Sequence, residues 1–182
     1  MKTEIITKAF PVILENEISV LFEKISLRGD FQPVGSFTVK VNGELLEVPY
    51  RIYFEVPNED ELSEKELLIL NCFFTRHHNG FTRQKCLEQI ILYDEYWITP
   101  FITQLLGEYV FEILVIIKSN LEGKLLENMI RFSEENSIFF ETTKRRIVSY
   151  WNCYYRAQFP IKEGYVGFKI VNAIEEIKQA SK

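Results

Sequence analysis

Both histidines of the chain are adjacent, in the sequence Arg76-His77-His78-Asn79, and imidazole is a frequent metal ligand and general base. Adjacent residues of a helix point about 100° apart, whereas a helical zinc site needs its histidines four residues apart. No neighbouring Cys, Asp or Glu completes a familiar ligand spacing, so we expect neither a metal nor another cofactor. Because a predicted helix ends here, contacts to its last carbonyl groups explain the pair more simply.

A second candidate is polar. Gln104, Glu108 and Glu112 recur every fourth residue in an apolar stretch, which predicts one polar stripe on a single helix from Pro100 to about Asn120. Buried carboxylates need a cationic partner, since an unpaired charge in a low dielectric protonates or unfolds its surroundings. In an open cleft, Glu108 would instead serve as a general acid or base. The arginines available to a buried stripe are Arg76, Arg83 and Arg131.

The third candidate is the segment from Lys144 to Arg156, in which three consecutive cations precede a run of aromatic residues. On a helix, this segment either packs its aromatic stripe into the core, with solvated cations at the rim, or exposes arginine and tyrosine together. The second arrangement favours an acidic protein partner, or single-stranded nucleic acid through stacking and phosphate contacts. The candidate binding residues of this segment are Arg145, Arg146, Tyr150, Tyr154 and Arg156.

The net charge and the cysteine content limit the classes of partner and the cellular compartment that we expect. The chain of 182 residues carries 21 basic and 26 acidic side chains, and its formal charge of −5 opposes non-specific attraction to nucleic acid or anionic lipid. The most apolar stretch is too polar for a membrane span, and the first ten residues lack the apolar core of a signal peptide. Three widely spaced cysteines are typical of free thiols in a reducing compartment. We therefore expect a cytoplasmic protein without a membrane partner, for which a protein partner is favoured over nucleic acid.

Common enzyme signatures are missing from the sequence: it has no phosphate-binding glycine-rich loop, Gly-x-Ser-x-Gly, His-Glu-x-x-His or Cys-x-x-Cys. We predict a non-catalytic cytosolic protein-binding or regulatory protein, of the adaptor or immunity-protein type. One alternative is an enzyme whose non-contiguous site gathers His77, His78 and Glu108, and another is a single-stranded nucleic-acid-binding protein. Should the Lys144–Arg156 segment not bind, the next candidate binding residues are Arg76, His77 and Glu108.

The elements that must position these residues begin with the stretch from Leu14 to Ile25. Its apolar residues recur at helical spacing, although some also alternate as in a strand, and we favour a helix. Apolar residues then alternate from Phe37 to Val41 and from Leu46 to Val56, on either side of Asn42-Gly43, which predicts a hairpin with a type I′ turn. Pro49 cannot donate to a ladder, so the second strand begins at an edge or a bulge.

Helical spacing dominates the rest of the chain. Ser63 to Glu66 has the spacing of a capping box, Asn79-Gly80 predicts a left-handed helix stop, and Thr82 predicts the cap of the next helix. Further helices are expected from Pro100 to about Asn120, beyond Gly123, from Ser137 to Arg156 and from Phe168 to Ile177. The prediction is one domain, residues 1–182, with an α+β, predominantly α fold. An N-terminal β-hairpin region, about residues 1–57, packs on a stack of antiparallel helices, about residues 60–182.

Overall fold

A computed structural model of the protein describes residues 2–28 and 35–180. Helix makes up 63% of the structure, and the described residues form nine α-helices and one two-stranded antiparallel sheet. The predicted α+β, predominantly α fold class is therefore confirmed. Two compact units divide the chain, Met1–Ile90 and Ile91–Lys182, so the helices just after the hairpin belong to the same unit as the hairpin. That residues 1–182 make a single domain stays a prediction, and part of that span lies outside the described residues.

The first unit combines four α-helices with the hairpin, and helices contact one another and the second strand. The helix predicted over residues 14–25 is confirmed, because its buried residues Ile18 and Leu21 lie one helical turn apart. In chain order the elements are α1 (Lys2–Thr7), a 3₁₀ turn (Val12–Leu14), α2 (Glu15–Lys24), β1 (Ser36–Val41), β2 (Glu44–Pro49), α3 (Glu64–Phe74) and α4 (Gly80–Ile90).

The hairpin has the predicted turn. Asn42 and Gly43 have φ angles of 55° and 83°, which are those of a type I′ turn, and Val41 pairs with Glu44 across it. Every second residue of β1 is buried, as the alternating pattern predicted.

The second strand ends earlier than the sequence indicated. It stops at Pro49, so the prediction of a strand continuing to Val56 is wrong; among residues 50–56, all of which the structure describes, only Ile52 forms a bridge, to His77. The buried Arg76 lies at this end: its Nε donates to the carbonyl oxygen of Pro49 at 3.3 Å and its Nη2 to that of Tyr50 at 3.1 Å. The guanidinium thus satisfies two main-chain carbonyl groups at the point where the regular strand ends.

Helix α3 begins as predicted and ends differently. The Ser63 hydroxyl accepts from the Glu66 main-chain N–H, and the Glu66 carboxylate accepts from the Ser63 N–H, which confirms the capping box. The helix ends at Phe74, and neither Asn79 nor Gly80 has a positive φ, so the predicted left-handed stop is wrong. Asn79 Oδ1 instead accepts from the main-chain N–H of Phe81 at 2.9 Å, so Asn79 takes the capping role predicted for Thr82.

The second unit is helical. Three predicted helices of this unit are confirmed: the helix beyond Gly123, the helix that begins at Ser137 and the helix at the C-terminal end. None of the described helices is long and apolar enough to cross a membrane. The elements are a 3₁₀ turn (Tyr96–Ile98), α5 (Thr99–Leu105), α6 (Phe111–Ser119), α7 (Gly123–Glu135), α8 (Ser137–Tyr150), a π-helical turn (Trp151–Tyr155), a 3₁₀ turn (Lys162–Gly164) and α9 (Val166–Ala180).

The single helix predicted from Pro100 to about Asn120 is wrong. The chain forms two helices there, α5 and α6, separated by residues 106–110. Gly107 lies in this break, and its N–H bonds to the carbonyl oxygen of Gln104, three residues back, at 3.2 Å. A Cβ at Gly107 would lie 3.0 Å from Cδ of Arg146, so the absent side chain lets α8 approach the break closely.

Candidate functional site

His77 lies in a corner between α3, α4 and the segment that follows the hairpin. Its Nε2 is 2.8 Å from the carbonyl oxygen of Phe54, and the main-chain N–H of Asn79 donates to its Nδ1 at 3.1 Å. Because Nδ1 accepts a hydrogen bond, Nε2 carries the proton and donates. Both ring nitrogens of the neutral imidazole are therefore occupied by the fold itself.

The environment of His77 also opposes its protonation. Burial lowers the pKa of His77 below its usual range, and the charges of His78 and Arg83 act in the same direction. His78 is exposed and stacks on Tyr53, with 5.1 Å between ring centroids. Among residues 2–28 and 35–180, no group of three His, Cys, Asp or Glu side chains is placed to hold a metal ion. The predicted contact with the last carbonyls of the helix is wrong for His77, because its acceptor is Phe54 in the preceding segment.

Two buried arginines donate hydrogen bonds to main-chain carbonyl groups in the same corner. Arg83 Nη1 donates to the carbonyl oxygens of His77 and His78, both at 2.9 Å, while Arg76 donates to the end of β2. Main-chain carbonyls thus accept from guanidinium groups that would be costly to bury unpaired. This geometry gives Arg76 and His77 a structural role, and their role as binding residues stays a prediction.

The polar stripe is not continuous. Gln104 lies in α5, Glu108 in the break and Glu112 in the first turn of α6, because the predicted single helix is interrupted. Gln104 and Glu108 are buried, whereas Glu112 is exposed. His77 and His78 belong to the first unit and Glu108 to the second, and the enzyme site that would gather them stays a prediction.

Three tyrosines of the second unit form a cluster that faces solvent, here called the tyrosine surface: Tyr109, Tyr150 and Tyr154. Their ring centroids lie 6.1–6.4 Å apart, within the range of favourable aromatic pairs. Tyr154 is 66% exposed and Tyr109 is 48% exposed, while Tyr150 is half-buried. Tyr109 comes from the break between α5 and α6, and the other two come from the end of α8 and the turn that follows.

An aromatic layer holds the tyrosine surface from below. The Tyr155 hydroxyl donates to the carbonyl oxygen of Tyr109, which ties the break to the turn after α8. The ring of Tyr155 lies 5.3 Å from that of the buried Tyr165 and 5.6 Å from that of Phe111. Burial raises the pKa of Tyr155, and the nearby Glu112 carboxylate raises it further, so the hydroxyl stays a donor at neutral pH.

The π-helical turn over Trp151–Tyr155 orients this layer. A π turn widens the helix by closing its hydrogen bonds over five residues, which rotates the following side chains away from the regular helical face. Trp151 Nε1 donates to the carbonyl oxygen of Phe159 at 2.9 Å, so the indole is held toward the loop that follows. Tyr154 is left exposed, so the alternative of a core-facing stripe does not hold for this residue.

The three predicted arginines of this segment lie in different surroundings. Arg146 lies one helical turn before Tyr150 and packs over Gly107, beside the break that carries Tyr109. Arg145 is exposed. Arg156 lies elsewhere, over the ring of Trp151 at 5.8 Å and hydrogen-bonded through Nη1 to Asn152 Oδ1 at 3.1 Å. The sequence pattern did not predict Tyr109, and the one signal for it was Gly107, which can interrupt a helix.

No protein-family model, curated protein or solved structure matches this chain.

Proposed function

We propose that the protein is a non-catalytic cytosolic binding protein whose tyrosine surface docks an acidic segment of a partner protein. The observation that carries the proposal is the exposure of Tyr109, Tyr150 and Tyr154 as one cluster. Tyrosine and arginine dominate the residues that contribute most to protein interfaces, because they bring large contact area with a polar group attached. The aromatic layer below holds the cluster in place, which lowers the entropy lost on binding.

Local charge favours an acidic partner. Residues 142–162 contain five cations and no Asp or Glu, in a chain whose net charge is −5. Two of these cations are engaged, Lys144 by Glu141 and Glu175 and Lys162 by Glu163, whereas Arg145, five residues before Tyr150 on α8, is exposed. A partner segment that places a carboxylate near Arg145 and an apolar side chain between the tyrosines would match both features.

Two further observations support a binding role in the cytosol. Both ring nitrogens of His77 are committed to the fold, which removes support from the alternative histidine-based enzyme. Cys72, Cys86 and Cys153 are all free, and Cys153 is exposed, as is common where thiols stay reduced.

The proposal is tested by selecting random 12-residue peptides displayed on phage against the full chain. We expect enrichment of peptides rich in Asp and Glu with an aromatic or aliphatic residue. Tyr154→Ala and Arg145→Glu should each weaken the selected peptide at least about tenfold, since hot-spot truncations cost about 2 kcal/mol or more. Both side chains are exposed, so thermal unfolding should be unchanged.

Matched control variants distinguish an effect at the tyrosine surface from the general effect of removing an exposed side chain. Val148→Ala removes an exposed side chain from the same helix, and Lys169→Ala removes an exposed cation from α9; both should keep full affinity. A fluorescent oligo(dT) strand serves as the competing probe. Tight binding of that strand, with a steep salt dependence and loss in Tyr154→Ala, would replace the protein partner by single-stranded nucleic acid. Absence of peptide enrichment, or enrichment unaffected by both surface variants, would overturn the proposal.

A further inference from the structure

A groove in the first unit lies between the N-terminal part of the chain and the hairpin. Its lining residues come from residues 7–15 on one side and from Thr38 and residues 44–47 on the other. The groove holds about 420 Å³, which is within the range of small-molecule sites. Such sites combine an apolar lining with a few polar groups that orient the ligand, and this groove has both.

Two hydrogen bonds join the two sides of the groove. Glu44 Oε1 accepts from the main-chain N–H of Val12 at 2.7 Å. The main-chain N–H of Glu47 donates to the carbonyl oxygen of Lys8 at 2.8 Å. All four residues line the groove, so these bonds hold its sides together before any ligand arrives. A groove formed in advance reduces the ordering cost of binding.

The apolar part of the lining is accessible to a ligand. Phe10 and Leu46 are almost fully buried, whereas Val12 on one side is 66% exposed and Leu45 on the other is 65% exposed. A ligand that lies between Val12 and Leu45 removes both side chains from water, which is favourable in proportion to the apolar area covered. This lining therefore favours a ligand with an apolar body.

The charges that line the groove are mainly negative. Among its described lining residues, Glu15, Glu44 and Glu47 carry three carboxylates and Lys8 one ammonium group, a formal charge of −2. Glu15 is exposed, and none of the described cations forms an ion pair with its carboxylate. The bond from Val12 uses only Oε1 of Glu44, which fixes this carboxylate beside the exposed apolar side chains. The lining therefore favours a cation over an anion.

We infer that the groove binds an alkylammonium ligand, with its cation beside Glu15 and Glu44 and its apolar chain against Val12 and Leu45. An ammonium group has three donors and no acceptor, so it is complementary to carboxylate oxygens. The alkyl chain is complementary to the two exposed apolar side chains. This inference does not depend on the proposed function, because it concerns the first unit only.

NMR titration of the full chain with hexylammonium chloride at neutral pH tests the inference. We expect saturable shifts of the amide signals of Val12, Leu45 and Leu46, with a dissociation constant of about 1 to 10 mM for so small a ligand. Hexanoate has the same chain with the opposite charge, and ethylammonium has the charge with a shorter chain. Each should bind at least about threefold more weakly. Absence of saturable shifts in the groove, or equal affinity for hexylammonium and hexanoate, would refute the inference.

An alkylammonium group occurs both in free amines and in the lysine side chain of a protein. N-acetyl-lysine methylamide, added as a competitor of hexylammonium, distinguishes these sources, because its two amide groups must also fit beside the groove. Displacement of hexylammonium at an equal concentration supports a lysine side chain as the ligand. Failure to displace it, with hexylammonium still bound in the groove, supports a free amine.

Three variants locate the binding. Glu44→Gln keeps an oxygen acceptor for the Val12 N–H but removes the charge, so the affinity for hexylammonium should fall at least about threefold without loss of the fold. Leu45→Ala shortens an exposed apolar side chain and should weaken binding by a similar factor. Glu61→Gln, at an exposed position outside the groove, is the matched control and should keep full affinity. Unchanged affinity in both Glu44→Gln and Leu45→Ala would overturn the inference.

Discussion

The Nε2–H group of His77 donates to the carbonyl oxygen of Phe54 across 2.8 Å, so a neutral imidazole joins the end of α3 to the segment that follows the hairpin. The second ring nitrogen accepts from the N–H of Asn79 at the entry to α4. One side chain therefore links three parts of the first unit. Protonation would turn Nδ1 from an acceptor into a donor that faces another donor.

We expect the free energy of unfolding to decrease as the pH falls below about 6.5. The pKa of His77 is lower in the folded protein than in the unfolded chain. At a pH below the unfolded pKa, the unfolded state therefore binds more protons than the folded state, and unfolding is favoured. The stabilisation that neutral His77 provides is fully present above the pKa that His77 has in the unfolded chain. His77→Gln keeps a donor and an acceptor without titrating, and it should flatten this part of the pH profile, whereas the exposed His78→Gln should not. Urea unfolding between about pH 7.5 and 5.5 measures both slopes, and equal slopes in the two variants would contradict the role of His77.

The ion pair between Lys24 and Glu66 should contribute to stability at neutral pH. Lys24 Nζ lies 2.8 Å from the carboxylate, and this bond, with the Ser63 N–H, lowers the pKa of Glu66 to about 2. Its stabilisation is present above the unfolded value of 4.5 and is lost as the pH falls from there toward about 2. Lys24→Met should raise the pKa of Glu66, measured by NMR titration. Because Lys24 is partly exposed, the stability lost at pH 7 should be about 1 kcal/mol.

A matched control for Lys24 is available on α7. Lys124 pairs with Glu127 at 3.1 Å, and both side chains are well exposed. Lys124→Met should therefore change stability by less than about 0.5 kcal/mol. Equal losses in Lys24→Met and Lys124→Met would show that burial of Glu66 adds nothing to its ion pair.

Buried residues in the helix break and just after it should be central to the core of the second unit. Leu106 and Ile113 are fully buried, so Leu106→Ala and Ile113→Ala should each cost about 2 to 5 kcal/mol through lost burial and a residual cavity. Val115→Ala, which shortens a partly exposed side chain of α6, should cost much less. Denaturant unfolding measures the three losses. Values under about 0.5 kcal/mol for both buried positions would place α6 at the periphery.

Local sequence patterns predicted the elements that neighbouring residues determine. The type I′ turn needs only Asn42 and Gly43, and the capping box needs only Ser63 and Glu66, so spacing along the chain was sufficient. The break between α5 and α6 was missed because apolar residues continue across it. Arg146 approaches Gly107 closely at the break, and contacts between distant parts of the chain leave no periodic signal.

The sequence predicted part of the tyrosine surface and its surroundings, and missed the rest. Arg146, Tyr150 and Tyr154 were identified because they recur at helical spacing in one segment. Tyr109 was not, since the hydrogen bond that ties it to the surface comes from Tyr155, 46 residues away. The π turn also escaped prediction, because a widened turn uses the same residue types as the α-helix that it continues. That these residues form a binding site stays a prediction.

Gly167 in the first turn of α9 provides the last test, because a glycine here makes room for α8. A Cβ at Gly167 would lie 2.7 Å from Cγ2 of Ile147 and 3.0 Å from Cε1 of Tyr165, and both neighbours are fully buried. Overpacking of this kind costs about 1 to 3 kcal/mol, partly offset by the better helix propensity of alanine, so Gly167→Ala should destabilise the protein by about 1 to 2 kcal/mol. Gly164→Ala is the control, since its nearest neighbour is Phe159 at an ordinary 3.9 Å.

A double-mutant cycle identifies the contact responsible for the loss at Gly167. Ile147→Ala removes the Cγ2 atom that a Cβ at Gly167 would meet. In that background Gly167→Ala should cost less than it does in the wild type, because the added methyl group fills space that the first substitution opened. Urea unfolding of the wild type, the two single variants and the double variant measures the coupling. Strictly additive losses would mean that the destabilisation arises from Tyr165 or from the helix start, and not from the packing of α9 against α8 at Ile147.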